Sequence, residues 1–184
     1  SIIKRYRVEF ITGAAANGVP RATAEKIFRK FNAHYMFPEA HAFAFGVTAY
    51  QMAWLKYHYP IEFFVALFNQ QPMGFYNLET LKEDARRHGI AVLNPDINDS
   101  MEKCIIKDES LLLGFLHVRG LGETGASAIV EAKVNGGPFA SLADTMERTG
   151  LQREAIENLV NAGAFDSLTA YLTHGRRAAR WEVG

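Results

Sequence analysis

The sequence predicts a mainly α-helical chain with one small β-hairpin midway and a duplicated helix–turn–helix unit after it. Three observations carry this. Apolar residues recur at helical spacing through most of the first half. Two short apolar runs in KCIIKDESLLLGF flank the turn residues Asp108 and Glu109. RGLGETGASAIV is echoed by TGLQREAIENLV: Gly120 matches Gly150, Leu121 matches Leu151, Ala126 matches Ile156, Ile129 matches Leu159 and Val130 matches Val160. A repeat this short cannot bury its apolar face alone, so the two copies are expected to pack together.

The elements follow in order. RATAEKIFRKF carries Ala24, Ile27, Phe28 and Phe31 at helical spacing. The next helix begins near Pro38 and Glu39, residues suited to a first turn, and runs to Tyr57. It is apolar nearly all round, the composition of a buried helix. Phe43, Tyr50, Trp54 and Tyr57 fall on one face and are expected in a core. Pro60 opens another helix, PIEFFVALFNQ. In YNLETLKEDARRHG, Asn77 caps, Tyr76 and Leu81 stand where a hydrophobic staple would be, Arg86, Arg87 and His88 come late, and Gly89 supplies the left-handed stop. IAVLNPDIN reads as a short strand and a turn. Beyond Gly114 the chain is helical again, with loops at NGGPF and TGLQ.

The 184 residues suit one medium domain or two small ones, and a composition 48% hydrophobic and 22% charged can build a core. Lys+Arg and Asp+Glu are 20 each, so no global basic signature marks a free-standing nucleic-acid binder. Seven basic residues nevertheless stand against Glu9 and Glu25 between Ser1 and Pro38. The single cysteine, Cys104, excludes an internal disulfide and fits a reducing compartment. No apolar run reaches the roughly 18 residues of a membrane span, and no leader sequence is visible. The expectation is a bacterial cytoplasmic protein without a membrane partner. Because it begins at Ser1 with sequence that reads as mid-domain, it is expected to be a piece of a longer chain.

GLGETG is also a G-x-G-x-x-G pattern, the fingerprint of dinucleotide folds. That fold needs a second parallel strand after the helix, with an acidic residue on it. Here the helix to about Lys133 is followed by a loop and another helix, and Asp144 lies inside that helix. The repeat explains the glycines better. VRGLGETGASAI resembles the helix-hairpin-helix motif of many DNA repair and replication proteins, which implies sequence-independent binding to the DNA backbone. Gly120 and Gly122 permit positive φ and close approach. The N–H groups of Gly122, Glu123, Thr124 and Gly125 stand at a helix N-terminus, where a phosphate oxygen is a natural acceptor. Leu121 plugs the hairpin into the core, and Gly125 reads as incidental. In the second copy Gln152 replaces Gly122, which makes it the weaker phosphate site or a structural one.

FPEAHAFAFGVTAYQMAWLKYHYPIEFFVALFNQQPMGFY is more specific. It resembles the fingers region of the bacterial C-family DNA polymerases, the alpha subunit of DNA polymerase III. The matching positions are Phe37, His41, Ala42, Leu55, Lys56, Pro60 and Phe63. NPDINDS, LLLGFLHVRGLG, GGPFASLAD and NAGAFDSL extend the likeness in family order. FPEAHA, NQQPMGFY, EDARRHGI and RRAARWEV are closer to the error-prone paralogue. The resemblance implies a helical fingers part over residues 1–100, a β-hairpin and tandem helix-hairpin-helix module over 101–168, and a tail or linker over 169–184, with a subdomain boundary near Asn98 to Lys103. It also implies a palm domain elsewhere in the polymerase, holding Mg2+ on paired carboxylates. Asp96 and Asp99 form no Asp-x-Asp pair, so no catalytic residue and no cofactor are assigned here, and the chain is expected to be inactive alone.

The same likeness places His41 near the incoming nucleotide, with a hydrogen-bonded histidine at a helix start as the alternative. Lys56 either approaches phosphate or snorkels off its helix. Arg119 and Lys133 flank the first hairpin helix, and Arg153 serves the second. The partners implied are duplex DNA, an incoming dNTP in the intact enzyme, and other replication or mutasome subunits. A protein-interaction module without DNA contact is the rival reading, favoured by the net charge of zero.

Overall fold

The computed structural model describes residues 5–31, 38–74 and 76–168. The tail over 169–184, Phe37 of the fingers motif and the arginines of RRAARWEV lie outside the described residues. The chain divides into two units, Ser1–Ala53 and Trp54–Gly184.

In the first unit α1 (Arg7–Ala16) and α2 (Arg21–Lys30) form a helical pair. α1 ends where Asn17 Nδ2 donates to the Gly13 carbonyl at 2.8 Å and Gly18 takes φ +76°. Pro20 then leads directly into α2. Phe10 of α1 meets Phe28 and Phe31 at 5.5 and 5.3 Å between ring centroids. Ala24 and Phe28 are buried as their spacing predicts, whereas Ile27 points out. Arg7 and Glu25 pair at 3.2 Å on the surface.

α3 (Glu39–His58) departs from expectation. None of its residues is buried. Phe43, Tyr50 and Tyr57 are 77, 71 and 81% exposed, and Trp54 is exposed as well. The expectation of a buried aromatic stripe is therefore corrected. Composition set the demand for burial, but a helix apolar on all sides is covered only where neighbours surround it. Among the described residues its rings meet mostly its own helix: His41 on Phe45 at 4.2 Å, and Trp54 on His58 at 4.4 Å.

In the second unit α4 (Pro60–Asn69) starts with Pro60 in its first turn and buries Phe64 and Phe68. α5 (Leu78–Arg87) is capped as predicted: Thr80 N–H donates to Asn77 Oδ1 at 2.9 Å. It buries Leu81 and Ala85 and ends at Gly89 with φ +76°. Three short strands follow: β1 (Val92–Leu93), β2 (Ile105–Lys107) and β3 (Ser110–Leu112). β2 and β3 form the predicted hairpin, Ile105 opposite Leu112 and Lys107 opposite Ser110. Its two turn residues Asp108 and Glu109 both have positive φ, 48° and 56°, the handedness that matches strand twist. β1 adds in parallel to the other side of β3, giving the order β1-β3-β2.

Two cores result. Phe64, Phe68, Leu81, Ala85, Ile90, Cys104, Leu111 and Leu113 join α4 and α5 to the sheet. Ile97, Phe115, Val118, Leu121, Ile129, Phe139, Leu142, Ile156, Leu159 and Phe165 anchor the C-terminal module. The boundary expected near Asn98 to Lys103 is not where the chain parts. Asn98 exchanges hydrogen bonds with the Phe139 backbone at 3.0 and 2.7 Å. Ser100, fully buried, donates to the Leu113 carbonyl at 2.8 Å. The Ile97 amide donates to the Ala164 carbonyl at 2.7 Å. This segment is a strut between cores, and unsatisfied polar groups would be the cost of cutting it.

Candidate nucleic-acid interface

The first hairpin opens with a three-residue 3-10 turn, Phe115–His117, rather than a full helix. Val118 to Leu121 make the corner, and α6 (Gly122–Gly136) leads away. Gly120 and Gly122 hold φ of +76° and +64°, the left-handed region that glycine tolerates best. Leu121 is buried between them. A Cβ built at Gly122 meets nothing within 4 Å, so the corner is open toward solvent. Gly122, Glu123 and Thr124 are exposed. Their N–H groups belong to the first turn of α6, where no preceding helical carbonyl serves them.

The second hairpin is α7 (Leu142–Thr149), a corner at Gly150 and Leu151, and α8 (Arg153–Ala162). α7 is closed by reciprocal bonds: Asp144 N–H donates to Ser141 Oγ at 3.1 Å and Ala140 N–H to Asp144 Oδ2 at 2.9 Å. The bond from Ala140 is the leading cause that holds the Asp144 carboxyl below its ordinary range. Gly150 matches Gly120 with φ +63°. The likeness ends at Gln152, which has extended backbone, φ −66° and ψ 151°, where Gly122 is left-handed. Side chain and backbone thus differ together at this corner.

Gly125 is not incidental. A Cβ there would stand 2.7 Å from Leu121 Cδ1 and 3.4 Å from Leu151 Cδ2. The plug residues of the two hairpins converge on it, so a bare backbone is needed for the copies to pack. Asn158 of α8 comes close to the first corner, its Nδ2 lying 3.0 Å from a Cβ built at Gly120.

The cations differ in their availability. Arg119 is exposed, and its guanidinium has no hydrogen-bond or ion-pair partner among the described residues. Arg153 pairs with Glu157 on the same helix at 2.9 Å. Lys133 is turned inward: its ammonium donates to the Ser100 carbonyl at 2.6 Å. Burial pushes its pKa down, while Asp99 and Asp96 pull it back up. The expected phosphate partner is thus a brace between α6 and the strut, a role that no spacing along α6 betrays. Lys56 forms an ion pair with Asp84 at 2.7 Å and lies 5.3 Å from the Phe64 ring centroid. His41 is exposed near the start of α3.

Sequence reasoning missed Arg148. Its guanidinium donates to the carbonyls of Ala132 at 2.6 Å and Gly137 at 2.8 Å, pairs with Asp144 at 3.2 Å, and stacks 4.3 Å from the Phe139 centroid. It closes the C-terminal end of α6, where unpaired carbonyls and the helix dipole favour a cation. Gly136 clears the space, since a Cβ there would lie 2.7 Å from Arg148 Nη2.

Asp96 and Asp99 are each held by local bonds. Asp96 Oδ1 accepts from the N–H groups of Asn98 and Asp99 at 2.9 and 3.0 Å, and Asp99 is bound by Lys107. That bond is the main cause that raises the Lys107 pKa. Among the described residues no group of three His, Cys, Asp or Glu side chains is placed to hold a metal.

Comparison with known proteins agrees with this architecture. Residues 89–178 match the family model described as a helix-hairpin-helix motif. The chain is 42% identical to the error-prone DNA polymerase of Symbiobacterium thermophilum, over 92% of this chain and 18% of that protein. The corresponding protein of Nocardia farcinica is 38% identical over 99% of this chain and 17% of its own length. That of Corynebacterium glutamicum is 41% identical over 91% and 15%. The chain therefore spans less than a fifth of the length of these relatives. Mainly helical, with a small mixed sheet leading into a paired helix-hairpin-helix module, it is a homologue of the bacterial error-prone, C-family DNA polymerases.

Proposed function

We propose that the hairpin module grips duplex DNA through its phosphates, as part of a longer error-prone DNA polymerase acting in the bacterial cytoplasm. The observation that carries this is the open corner at Gly122. A left-handed backbone, three exposed N–H-bearing residues at a helix start and the unpartnered Arg119 guanidinium stand together there. Backbone N–H groups and the helix dipole suit a phosphate oxygen, and none of these groups reads a base edge, so binding is independent of sequence. Gly120 and Leu121 shape the corner, Glu123, Thr124 and Gly125 supply its first turn, and Arg153 adds charge at the second hairpin. Lys133 contributes by bracing rather than by contact.

The resemblance of α3 to polymerase fingers supports a second part of this reading. In the longer protein His41 borders the incoming dNTP, Lys56 ties the C-terminal end of α3 to α5 through Asp84, and the exposed aromatics of α3 are covered by other polymerase segments or by partner subunits. Mg2+ and the paired carboxylates belong to a palm outside this chain, which alone should extend no primer.

Duplex binding measured against salt tests the proposal. Affinity should fall steeply as salt rises, since bound phosphates release counterions. Arg119→Glu should weaken binding uniformly across sequences and lower the slope by about one. Unchanged affinity and slope would defeat the DNA reading and favour an interaction module.

A further inference from the structure

We propose that the outward face of α2, a stripe formed by Lys26, Arg29 and Lys30, is a second surface for duplex DNA, which it meets through the phosphates. Over residues 5–31 six Lys and Arg side chains stand against Glu9 and Glu25. At 3.6 residues per turn the three cations of the stripe fall within an arc of about 100°, and Lys26 stands about 160° from both Ala24 and Phe28. Ala24 and Phe28 are the residues that α2 buries, and Phe28 meets Phe10 of α1. The stripe therefore faces away from the core of the helical pair, and all three of its side chains are exposed.

The acid nearest in sequence is already used. Glu25 Oε1 accepts from Arg7 at 3.2 Å and from Arg21 at 3.4 Å, one carboxylate shared by two guanidiniums. Glu9 lies in the first turn of α1, where the helix dipole favours an acid. Lys26 and Lys30 have no hydrogen-bond or ion-pair partner among the described residues. Arg29 engages only its Nε, 3.4 Å from the Glu25 carbonyl. The dipole at the end of α2 favours Arg29 and Lys30. Lys26 stands more than a turn before Lys30 and extends the charge beyond what the helix end requires. Like charges four residues apart destabilise a bare helix, and a polyanion relieves them. Duplex DNA presents one charge about every 1.7 Å of its axis. Lys26 and Lys30 are about 6 Å apart along α2, so neighbouring phosphates serve both. The phenyl rings of the pair are spent on one another, Phe10, Phe28 and Phe31 lying 5.3 to 5.7 Å apart. The stripe offers charge without an aromatic platform for unstacked bases, which suits a duplex backbone better than a single strand. The choice of DNA over another polyanion rests on the grip proposed above, whereas the stripe itself does not depend on the Gly122 corner.

The test measures the affinity of the chain for a DNA duplex of random sequence as sodium chloride is raised. Lys26→Gln combined with Lys30→Gln should lower the slope of log affinity against log salt by about 1.8, two contacts at about 0.9 each. The advantage of the parent over this variant should therefore shrink roughly tenfold between about 50 and 200 mM salt. Lys26→Arg with Lys30→Arg should keep the parent slope. Arg86→Gln with Arg87→Gln is the control for charge alone: both arginines are exposed, but each already pairs with Glu83, at 3.6 and 3.7 Å, and their loss should leave the slope unchanged. Acetylation of Lys26 and Lys30, read by mass spectrometry, should fall when duplex saturates the chain, in the parent and in Arg119→Glu alike. That readout separates this surface from the Gly122 corner, since failure of the corner leaves the protection of α2 intact. Polyglutamate and oligothymidylate are the competing polyanions. Three results overturn the proposal: an unchanged slope in the Lys26 and Lys30 glutamine variant, an equal loss of slope in the Arg86 and Arg87 control, or protection by polyglutamate or oligothymidylate as strong as by duplex. The last result assigns the face to an acidic protein or to a single strand.

Discussion

Replacing Arg148 with Met should destabilise the second unit by roughly 2–3 kcal/mol, because this one side chain closes α6 and ties it to α7. The figure follows from the bonds that Met cannot make. Two short bonds run from the guanidinium to carbonyls, at 2.6 Å from Ala132 and 2.8 Å from Gly137. Charged-group hydrogen bonds contribute about 1.5–3 kcal/mol each where they are dry. The side chain is 21% exposed, so water reaches part of the site and each bond falls to about 1 kcal/mol, the ordinary net value. The 3.2 Å pair with Asp144 adds a few tenths, as helical pairs four residues apart do. Stacking on Phe139 is the part that Met partly replaces. For a chain of this size about 2 kcal/mol corresponds to a melting shift of roughly 4–8 °C. Urea unfolding followed by far-UV circular dichroism measures it. Arg148→Lys separates charge from geometry, since an ammonium keeps the charge but cannot fork to two carbonyls and stack. The Lys variant should lose more than half of what Met loses. If it is as stable as the parent, the guanidinium fork braces nothing and only its charge matters.

Two further outcomes are expected. Gly114→Ala should cost at least ~3 kcal/mol or prevent folding, because its Cβ would lie 2.3 Å from the Lys103 carbonyl carbon, and backbone cannot move aside like a side chain; a soluble variant with the parent melting temperature refutes this. Stability should fall as pH drops below about 6.5. The folded His117 pKa is depressed, so in that window the unfolded chain binds more protons, and acid favours unfolding until pH passes the folded value. His117→Gln should flatten this part of the profile in urea midpoints taken between about pH 5 and 7.5, and an unchanged slope in the variant counts against the assignment.

What the sequence made legible was local. The Asn77 cap, the Gly89 stop and the Asp108–Glu109 turn each depend on residues within one or two turns of chain, and each stands where it was expected. The repeat, too, needed only the offset between matched positions. Its glycines at 120, 122 and 150 carry positive φ because the corners reverse the chain within a few residues.

The remaining features depend on segments far apart in sequence. Lys133 reaches Ser100 across 33 positions, and Asn98 reaches Phe139 across 41. Gly125 is needed because Leu121 and Leu151, from different copies, occupy the space its side chain would fill. Periodicity reports which residues seek burial, and it placed Ala24 and Phe28 inside. For α3 the same signal held for composition and failed for burial, since every residue of that helix remains unburied. Sequence by itself determined most of the helices, the cap and stop of α5, the duplicated corner and the likeness to a polymerase. Tertiary structure alone decided which cations brace the fold and which stay unpaired, because an ammonium or guanidinium goes to whichever carbonyl or carboxylate packing brings within hydrogen-bond reach.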